Sequence, residues 1–303
     1  MKKFLKEILT DPITGEDLTE TKSSGKNFLS SESCRYPILE NVPIFLCDDI
    51  NTKKNQHQRL ESISDFDYTT HYKEDADYFD YFKEVESPET KEEIRRLHQA
   101  IIKRIPQNAA LVLDAGCGNG WLSKYFEGKK NQVISMDISI KNPVRVLKEN
   151  PNQNHAAVVA DVYHLPFKKN SFDTIIASEI MEHVYDPRLF IVQLMDVLKP
   201  GGRLIITTPY NEKIEYFLCV HCNKPTPKNA HLNFFNEQNI TGYIPPECSN
   251  FKTDAFSNKF LVRLRLNLLM SFLPFGIWKF KDALINSIFN NPLRFLVELN
   301  KNK

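Results

Sequence analysis

The sequence predicts an α/β fold built on a mostly parallel β-sheet. The composition is that of an ordinary globular chain, with 303 residues of which 42% are hydrophobic and 25% are charged. After Pro106, short apolar runs alternate with segments of helical periodicity, a pattern typical of right-handed βαβ units. One of these runs leads directly into a glycine-rich turn that a helix follows. Together these observations favour a parallel sheet with helices on its faces.

The first fifty residues predict a small β module, residues 1–50. Turn signals at Asp11-Pro12, Thr14-Gly15 and Ser23-Ser24-Gly25 separate short apolar stretches, which favours β-hairpins.

Residues 51–105 are predicted to connect this module to the rest. Residues 51–65 are polar without an apolar period and are interpreted as a linker, whereas residues 91–105 have the spacing of an amphipathic helix. The aromatic residues between positions 66 and 82 pack this helical lead-in in the favoured interpretation. In the alternative interpretation they form a lid over a ligand.

Residues 106–303 form the predicted main domain. Its strands are predicted at residues 109–114, 132–137, 156–160, 174–177 and 203–207. Helices are predicted between them at residues 121–126, 143–148 and 187–198. Two insertions are expected, at about residues 211–250 and 257–291.

The first predicted strand runs into the glycine-rich turn Asp114-Ala115-Gly116-Cys117-Gly118-Asn119-Gly120. Glycines permit positive φ there and let a ligand approach backbone amides at a helix N-terminus. A dinucleotide-binding turn would place its third glycine at position 121, which is Trp121. The spacing is G-x-G-x-G, with an acid two residues before the first glycine.

Further acids end the next two strands. Asp137 can accept hydrogen bonds from both hydroxyls of a ribose, and Asp161 precedes Val162, which can face an adenine edge. Because the ends of successive parallel strands meet at one crevice, these acids and Asp114 are expected to surround it. An acidic lining disfavours a phosphate-rich ligand and suits one that carries a sulfonium and an ammonium group. In the alternative interpretation the acids only cap helices.

Residues 111–120 resemble motif I of the class I S-adenosylmethionine-dependent methyltransferases, in particular the type 11 group. Other segments that resemble the family follow in its order: Asp161 with His164-Leu165-Pro166-Phe167, Ser178-Glu179-Ile180-Met181-Glu182-His183, Leu198-Lys199-Pro200-Gly201-Gly202, and residues 292–301. The resemblance implies a doubly wound, Rossmann-like sheet of seven strands, mostly parallel with an antiparallel last strand. It implies S-adenosyl-L-methionine as the cofactor. The cofactor-binding residues implied are Asp114, Gly116, Cys117, Gly118, Asn119, Gly120, Asp137, Ile138, Asp161, Val162, Ser178 and His183.

Methyl transfer from a sulfonium is an in-line displacement that depends mainly on orientation, and a hydroxyl or acidic-carbon acceptor also needs a general base. The candidate catalytic residues are His183, Tyr210 and His231. For His183 and Tyr210, structural or cofactor-shaping roles are favoured. His231 lies in a segment that resembles the mouth of the family's substrate site.

Soft ligands occur at Cys219, Cys222, His231 and Cys248, which are weak candidates for a zinc site. Because one C-x-x-C pair is a moderate signal, the favoured interpretation is thiols that bind no metal. No resident metal is therefore predicted.

The module over residues 1–50 resembles the zinc-ribbon-like domain that activates some methyltransferases or precedes some ribosomal RNA guanine methyltransferases. Two of its segments carry the resemblance, Asp11-Pro12-Ile13-Thr14 and Ser31-Glu32-Ser33-Cys34. Because only Cys34 remains of the usual ligands, a degenerate, zinc-free module is predicted.

The C-terminal insertion mixes apolar and basic residues. Between Ser257 and the end there are 8 Lys or Arg and 2 Asp or Glu, whereas the whole chain has a formal charge of +1. Residues 260–289 are too interrupted by charges, Pro274 and Gly276 to span a bilayer. They are interpreted as a helical cap, with peripheral contact to an anionic membrane as the alternative.

These patterns predict an S-adenosylmethionine-dependent methyltransferase that acts on a small-molecule or lipid-like acceptor. A nucleic-acid partner is disfavoured by the near-zero net charge. Three alternatives stay open: an RNA methyltransferase that docks its substrate through the N-terminal module, a non-catalytic cofactor-binding protein and an NAD-dependent oxidoreductase. Six cysteines without a secretory leader favour a cytoplasmic location, and the oligomeric state is undetermined.

Overall fold

A seven-stranded mixed β-sheet forms the centre of the computed structural model, which describes residues 1–46, 68–220, 223–246, 248 and 250–303. The strands of the chain are β1 Thr19–Ser23, β2 Lys26–Ser30, β3 Arg35–Leu39, β4 Val42–Pro43, β5 Leu111–Ala115, β6 Gln132–Asp137, β7 His155–Val159, β8 Phe172–Ser178, β9 Leu198–Pro209, β10 Tyr216–Leu218, β11 Pro225–Pro227, β12 Asn250–Asn258 and β13 Pro292–Asn300. The α-helices are α1 Lys3–Ile8, α2 Tyr68–Tyr78, α3 Pro88–Ile102, α4 Trp121–Tyr125, α5 Lys141–Glu149, α6 Pro187–Val197, α7 Lys259–Arg263 and α8 Phe275–Ile288. Short 3₁₀ helices cover Met181–His183, Lys228–Ala230, Ile240–Gly242 and Leu266–Met270.

The sheet has the strand order β12-β13-β9-β8-β5-β6-β7. The pairs from β9 to β7 are parallel, and β13 is antiparallel to both β9 and β12. This confirms the predicted seven-stranded, mostly parallel sheet with an antiparallel last strand. Each of the five predicted parallel strands occurs within a few residues of its predicted position.

Strand β12 had no predicted position of its own. The insertions expected at 211–250 and 257–291 leave room for it between them. Its first three residues, Asn250, Phe251 and Lys252, are exposed because the strand lies at the outer edge of the sheet, and polar residues interrupt the rest, so no apolar run marks it.

Both faces of the sheet are covered, as a doubly wound fold requires. Leu111, Leu113 and Ala115 of β5 lie in one core cluster, and Val112 lies in another. Because successive side chains of a strand point to opposite faces, the two clusters lie on opposite sides of the sheet. Helix α6 contributes to the first cluster, and helices α3 and α4 contribute to the second.

The N-terminal segment packs against the outer strand β7. The backbone amide of Phe45 donates to the carbonyl oxygen of Val159 at 2.8 Å, and the amide of Thr10 donates to that of Pro166 at 3.0 Å. Leu5 and Phe45 belong to the same core cluster as the sheet. The predicted hairpins are present as strands β1 to β4, preceded by helix α1, which was not predicted. The domain boundaries at residues 50 and 105 stay predictions, and the proposed linker over 51–65 lies outside the described residues.

Hydrogen bonds to the Asp11 carboxylate close the turn over residues 11–14, one of the two segments that resemble a zinc ribbon. The Asp11 carboxylate accepts hydrogen bonds from the amides of Ile13 and Thr14, at 2.8 and 3.2 Å, and from the Ser31 hydroxyl at 2.5 Å. Asp11 is 1% exposed, so these donors offset the cost of burying its charge. The degenerate zinc-ribbon assignment stays a prediction.

Residues 259–289, between β12 and β13, form a helical segment that we call the cap. The buried Arg96 of α3 holds it in place: its guanidinium donates to the carbonyl oxygens of Met270, Ser271 and Leu273 at 2.9, 3.1 and 3.0 Å. The same group lies 4.9 Å from the ring centre of Trp278. Arg95 adds a further hydrogen bond from its Nη2 to the carbonyl oxygen of Ser271 at 2.7 Å, so helix α3 fixes the middle of the cap to the main domain.

We expect Arg96→Met to lower the free energy of unfolding by about 3 kcal/mol, because it removes a buried cation that binds three carbonyls and Glu92. Arg95→Met is the matched control, since Arg95 also pairs with Glu92 and donates to the carbonyl oxygen of Ser271, but has a side chain that is 43% exposed and binds one carbonyl rather than three. It should cost about 1 kcal/mol or less. Urea denaturation of both variants measures the difference, and equal losses would contradict the role given to Arg96.

Candidate functional site

A pocket opens where the carboxyl ends of β5, β6, β7 and β8 meet. Parallel strands of a doubly wound sheet place their ligands at this edge. The residues that line the pocket are Tyr72, Ala76, Tyr81, Gly116, Gly118, Met136, Asp137, Ile138, Asn142, Ala160, Val162, Glu179, Ile180, His183 and Val184. Of the residues predicted to bind a cofactor, Gly116, Gly118, Asp137, Ile138, Val162 and His183 belong to this lining.

The glycine-rich turn after β5 forms one wall of the pocket. Gly116, Gly118 and Gly120 all have positive φ, at 77°, 48° and 70°. A Cβ atom on Gly120 would lie 2.5 Å from Val146 Cγ1, so this glycine is required for packing against α5. A Cβ atom on Gly118 would meet nothing within 4 Å and would enter the open pocket. The turn is therefore a cradle in which a ligand can contact the backbone.

Asp137, at the end of β6, joins this turn to the next helix. Its carboxylate accepts hydrogen bonds from the amides of Gly118 at 3.1 Å and Ser139 at 3.0 Å, and from Asn142 Nδ2 at 3.3 Å. Burial raises the pKa of Asp137 although these donors act in the opposite direction. Asp137 lines the pocket, so its carboxylate is placed to accept further hydrogen bonds from a ligand's hydroxyls.

Asp114 lies behind the turn rather than on the pocket surface. It is 1% exposed, and its Oδ2 makes no hydrogen bond. Burial, with a smaller contribution from the charge of Asp137, raises the pKa of Asp114 to about 7. The turn therefore shields a carboxyl group whose pKa is raised towards neutral pH.

Other predicted cofactor residues lie around the pocket but outside its lining. They are Cys117, Asn119, Gly120, Asp161 and Ser178. Asp161 accepts a hydrogen bond from the amide of Tyr163 at 3.0 Å, so its observed contact stabilises a turn. Ala160 and Val162 are the members of that segment that face the pocket.

Two tyrosines of the lead-in cover the pocket. Tyr72 and Tyr81 belong to its lining, and the Tyr72 ring lies 5.3 Å from the ring of His183. Lys141 Nζ, at the start of α5, donates to the carbonyl oxygen of Ala76 at 2.8 Å and so holds α2 beside the pocket. These contacts favour the lid interpretation for Tyr72 and Tyr81.

The segment after β8 supplies a second wall that is rich in buried charge. Glu93 of α3 and Glu182 are buried, Glu179 is partly buried, and Arg294 of β13 joins Glu93 to Glu179. Arg294 donates to both carboxylate oxygens of Glu93, at 2.7 and 2.9 Å, and to Glu179. Burial raises the pKa of Glu182 well above its ordinary value, and the charge of Glu179 raises it further.

His183 is the titratable group of this wall that contacts both the pocket and a second histidine. Its ring lies 4.8 Å from that of His231, and its Nδ1 is 3.2 Å from the carbonyl oxygen of Ala230. Burial and the neighbouring His231 lower the pKa of His183 to about 4, so the imidazole is neutral at pH 7. If Nδ1 carries the proton and donates to Ala230, Nε2 is the acceptor.

His231 does not line the pocket, but its ring contacts the ring of His183. Its Nδ1 forms a hydrogen bond with the carboxylate of Glu212, a contact that orients the ring. Tyr210 is placed differently, because its hydroxyl donates to Glu237 at 2.9 Å and the residue does not line the pocket. The three catalytic candidates are therefore not equivalent. His183 lines the pocket, His231 contacts the ring of His183, and Tyr210 bonds to Glu237 outside the pocket lining.

Among the described residues, the group able to hold a metal ion is Glu182, His183 and His231, whose ligand atoms lie within 4.8 Å of one another. This differs from the weak candidates named from the sequence. His231 belongs to the group, Cys219 and Cys248 do not, and Cys222 lies outside the described residues.

Sequence reasoning missed several members of the site. Glu93, Arg294 and Glu212 come from distant segments, so no local motif could associate them with the pocket. Asn142 could have been found, since it lies five residues after Asp137 at the start of a predicted helix.

No helix of the described residues is long and apolar enough to cross a membrane.

Residues 113–206 match the family described as "Methyltransferase domain". Over 139 residues the chain is 31% identical to the ubiquinone biosynthesis O-methyltransferase of Xylella fastidiosa, which covers 43% of this chain and 56% of that protein. Over 119 residues it is 34% identical to the human mitochondrial arginine-hydroxylase NDUFAF5, covering 38% and 33% of the two chains. The chain thus spans between a third and just over half of these relatives' lengths.

A similar solved structure is phosphoethanolamine N-methyltransferase 2 of Haemonchus contortus in complex with S-adenosyl-L-methionine. It has a TM-score of 0.48 and 17% identity, and the match covers 69% of this chain and 53% of that one.

The matched residues contain β5 to β8 and most of β9, the part of the sheet that forms the pocket. Residues 113–206 match the methyltransferase domain that the sequence predicted, a kind of domain for which the sequence resemblance implies S-adenosyl-L-methionine as the methyl donor. The residues of the pocket fit this group, since Gly118 leaves space where a Cβ would stand and Asp137 lies beside it.

We expect Gly118→Ala to weaken binding of S-adenosylhomocysteine at least tenfold, because its methyl group would enter the space that the ligand needs. Gly128→Ala is the matched control: Gly128 also has positive φ, at 73°, with nothing within 4 Å of its Cβ position, but it does not line the pocket. Both should lose about 1 kcal/mol of stability from backbone strain. Calorimetric titration should show the loss of affinity in Gly118→Ala alone, and equal affinities would contradict the assignment.

We also expect affinity for S-adenosylhomocysteine to rise several-fold with pH and to level off above pH 7. The ammonium group of the ligand favours ionised Asp114, whose pKa is raised to about 7 in the unliganded protein. Binding therefore releases a proton below that pH, and affinity falls as the pH decreases. Asp114→Asn should remove this dependence, and titrations between pH 6 and 8 in which both proteins show the same slope would exclude the effect.

Proposed function

We propose that this chain transfers a methyl group from S-adenosylmethionine to a small-molecule or lipid-like acceptor, at an oxygen atom. The observation that carries the proposal is the pocket itself, in which a glycine cradle and Asp137 form one wall and His183 forms another. A binding site for a methyl donor thus directly adjoins a neutral imidazole able to accept a proton. The Xylella relative, an O-methyltransferase of ubiquinone biosynthesis, supports an oxygen acceptor with an apolar portion.

The residues of the chain have distinct parts in this reaction. The Asp137 carboxylate, held by the Gly118 amide, would bind the sugar of the donor, and Met136, Ile138 and Val162 would provide apolar surface for its base. The donor supplies an activated methyl group. Tyr72 and Tyr81 cover the pocket and limit the access of water.

His183 is the proposed general base. Its Nε2 accepts the proton of the acceptor hydroxyl, while Nδ1 is held by Ala230. The buried Glu182, whose Oε1 lies 4.0 Å from Nε2 of His183, favours the imidazolium that forms when Glu182 is ionised. His231 and Glu212 are positioning residues, because they act through the ring of His183. The cytoplasmic location and the absence of a nucleic-acid partner stay predictions.

The test of the function is transfer of label from S-adenosylmethionine that carries a radioactive methyl group. The full chain is incubated with fractionated extract, with and without a chelator, since Glu182, His183 and His231 could hold a metal ion. We expect label in a lipid or small-molecule fraction. Label in RNA would favour the alternative in which the N-terminal module docks RNA. Binding of the cofactor without any transfer would contradict the proposal and favour a non-catalytic or a different activity.

We expect His183→Asn to lower the rate of methyl transfer at least about 100-fold, the usual contribution of a general base. Its affinity for S-adenosylhomocysteine should stay within about threefold of that of the native chain, because the ring acts on the acceptor. Tyr210→Phe is the matched control, since the Tyr210 hydroxyl is bonded to Glu237 outside the pocket lining. The methyl-transfer rate and the affinity for S-adenosylhomocysteine, measured in both variants, test whether His183 is the base. Equal rates in His183→Asn and Tyr210→Phe would exclude His183 as the base.

A further inference from the structure

The cap lies at the same sheet edge as the pocket. Strands β9 and β12 both pair antiparallel with β13, so they run in the same direction and end at the same edge. The cap begins directly after β12, and Lys259 Nζ donates to the carbonyl oxygen of Tyr210, just past the end of β9. After the cap, β13 brings Arg294 to Glu179 in the pocket wall. The cap therefore leaves the sheet at the edge where the pocket opens, and none of its residues belongs to the pocket lining.

The outer surface of the cap is apolar. Its exposed side chains include Leu269, Phe272, Phe280, Leu284, Ile288 and Phe289, each at least 54% exposed. In helix α8, Trp278 and Asp282 are buried against the main domain, while Phe280, Leu284 and Ile288 follow one another along the exposed side. A helix that only covers a sheet needs one apolar face, and α8 has two.

This apolar surface is presented by a fixed backbone. Arg96 binds the carbonyl oxygens of residues 270, 271 and 273, and Asn267 Nδ2 donates to the carbonyl oxygen of Glu89 at 2.9 Å. Phe272, within this turn, is nevertheless 80% exposed. The main domain thus stabilises a turn whose largest side chain contacts solvent, an arrangement typical of interaction surfaces.

The charges of the cap favour an anionic partner. The cap contains five basic residues and one acid, and that acid, Asp282, is 1% exposed on the inner side. Lys279 pairs with Asp254 and Arg265 pairs with Glu89, at 2.7 and 3.2 Å, whereas Arg263 and Lys281 are exposed beside the apolar side chains of the outer surface. A second copy of this chain would bring two positively charged caps together in a symmetric contact, which is unfavourable.

A second apolar element leaves the same sheet edge. The hairpin β10–β11 follows β9, and its exposed side chains include Phe217, Leu218 and Val220, which is 99% exposed. Two neighbouring connections at one edge of the sheet therefore expose aromatic and aliphatic groups.

We propose that the cap docks on the surface of an anionic phospholipid bilayer, with the pocket edge of the sheet towards the membrane. Phe272, Phe280 and their neighbours enter the interface, and the basic residues bind lipid phosphates. If the acceptor is lipid-like, as proposed above, it can reach the pocket directly from the bilayer. The docking itself does not depend on methyl transfer.

The test is co-sedimentation of the full chain with vesicles, carried out without methyl donor. Vesicles of phosphatidylcholine are compared with vesicles of phosphatidylcholine and phosphatidylglycerol in equal amounts. We expect at least about tenfold tighter binding to the anionic vesicles, because each basic residue near such a surface contributes about fivefold. Binding should weaken as salt is added.

Two variants separate the apolar and electrostatic contributions. Phe272→Ser with Phe280→Ser should lower binding to anionic vesicles at least about tenfold, and Arg263→Glu with Lys281→Glu should remove the preference for anionic lipid. The matched control is Ile13→Ser with Leu39→Ser, two residues of the N-terminal segment that are 43% and 45% exposed. It should bind within about twofold of the native chain.

Binding of S-adenosylhomocysteine, measured on each variant, shows that the fold is intact and keeps this test separate from the proposed function. Vesicle binding by a chain that transfers no methyl group would leave the docking in place and overturn the function alone. Three results would overturn the docking: no binding to anionic vesicles, equal binding by the cap variants and the control, or a solution dimer that Phe272→Ser with Phe280→Ser dissociates.

Discussion

The carboxylate of Asp137 connects the three pieces of backbone that form the donor side of the pocket. It binds the Gly118 amide of the glycine turn, the Ser139 amide after its own strand, and the Asn142 side chain of the next helix. A partly buried charged group of this kind needs several donors to offset its desolvation. The geometry of the turn, of strand β6 and of helix α5 is therefore fixed around one side chain. That side chain also lines the pocket, so the interaction that shapes the site is positioned to bind the ligand.

A second charged network links the acceptor side of the pocket to distant parts of the chain. Arg294 joins Glu93 of the lead-in helix to Glu179 of the pocket wall, and Glu182 is buried beside them. Three carboxyl groups around one guanidinium leave an excess of negative charge when all are ionised, which explains why burial and mutual repulsion raise the pKa values of Glu179 and Glu182. Strand β13, which carries Arg294, directly follows the cap.

Much of the fold could be predicted from the sequence because its signals are local. Apolar runs mark β5, β6, β7, β8 and β9, and the glycines of the turn mark the point where strand and helix meet. Strand β12 had no such signal, because an edge strand with polar, exposed residues does not need an apolar run. Helix α1 is only six residues long, too short for a clear period.

Only the part of the site that lies in local sequence motifs could be predicted. Gly118, Asp137 and His183 lie in motifs whose chemistry indicates a donor pocket, and all three line it. The sequence also indicated Asp161 and Tyr210, but their observed hydrogen bonds go to Tyr163 and Glu237 instead. Contacts such as His231 with Glu212, or Arg294 with Glu93, depend on tertiary packing between segments far apart in sequence. No spacing rule could have found them.

The most direct test of the central claim is a crystal structure of the full chain with S-adenosylhomocysteine. The account predicts that the ribose hydroxyls lie within hydrogen-bonding distance of the Asp137 carboxylate, with the rest of the ligand against the Gly118 backbone and its sulfur directed towards His183. A ligand bound elsewhere, or a ribose that makes no contact with Asp137, would contradict it.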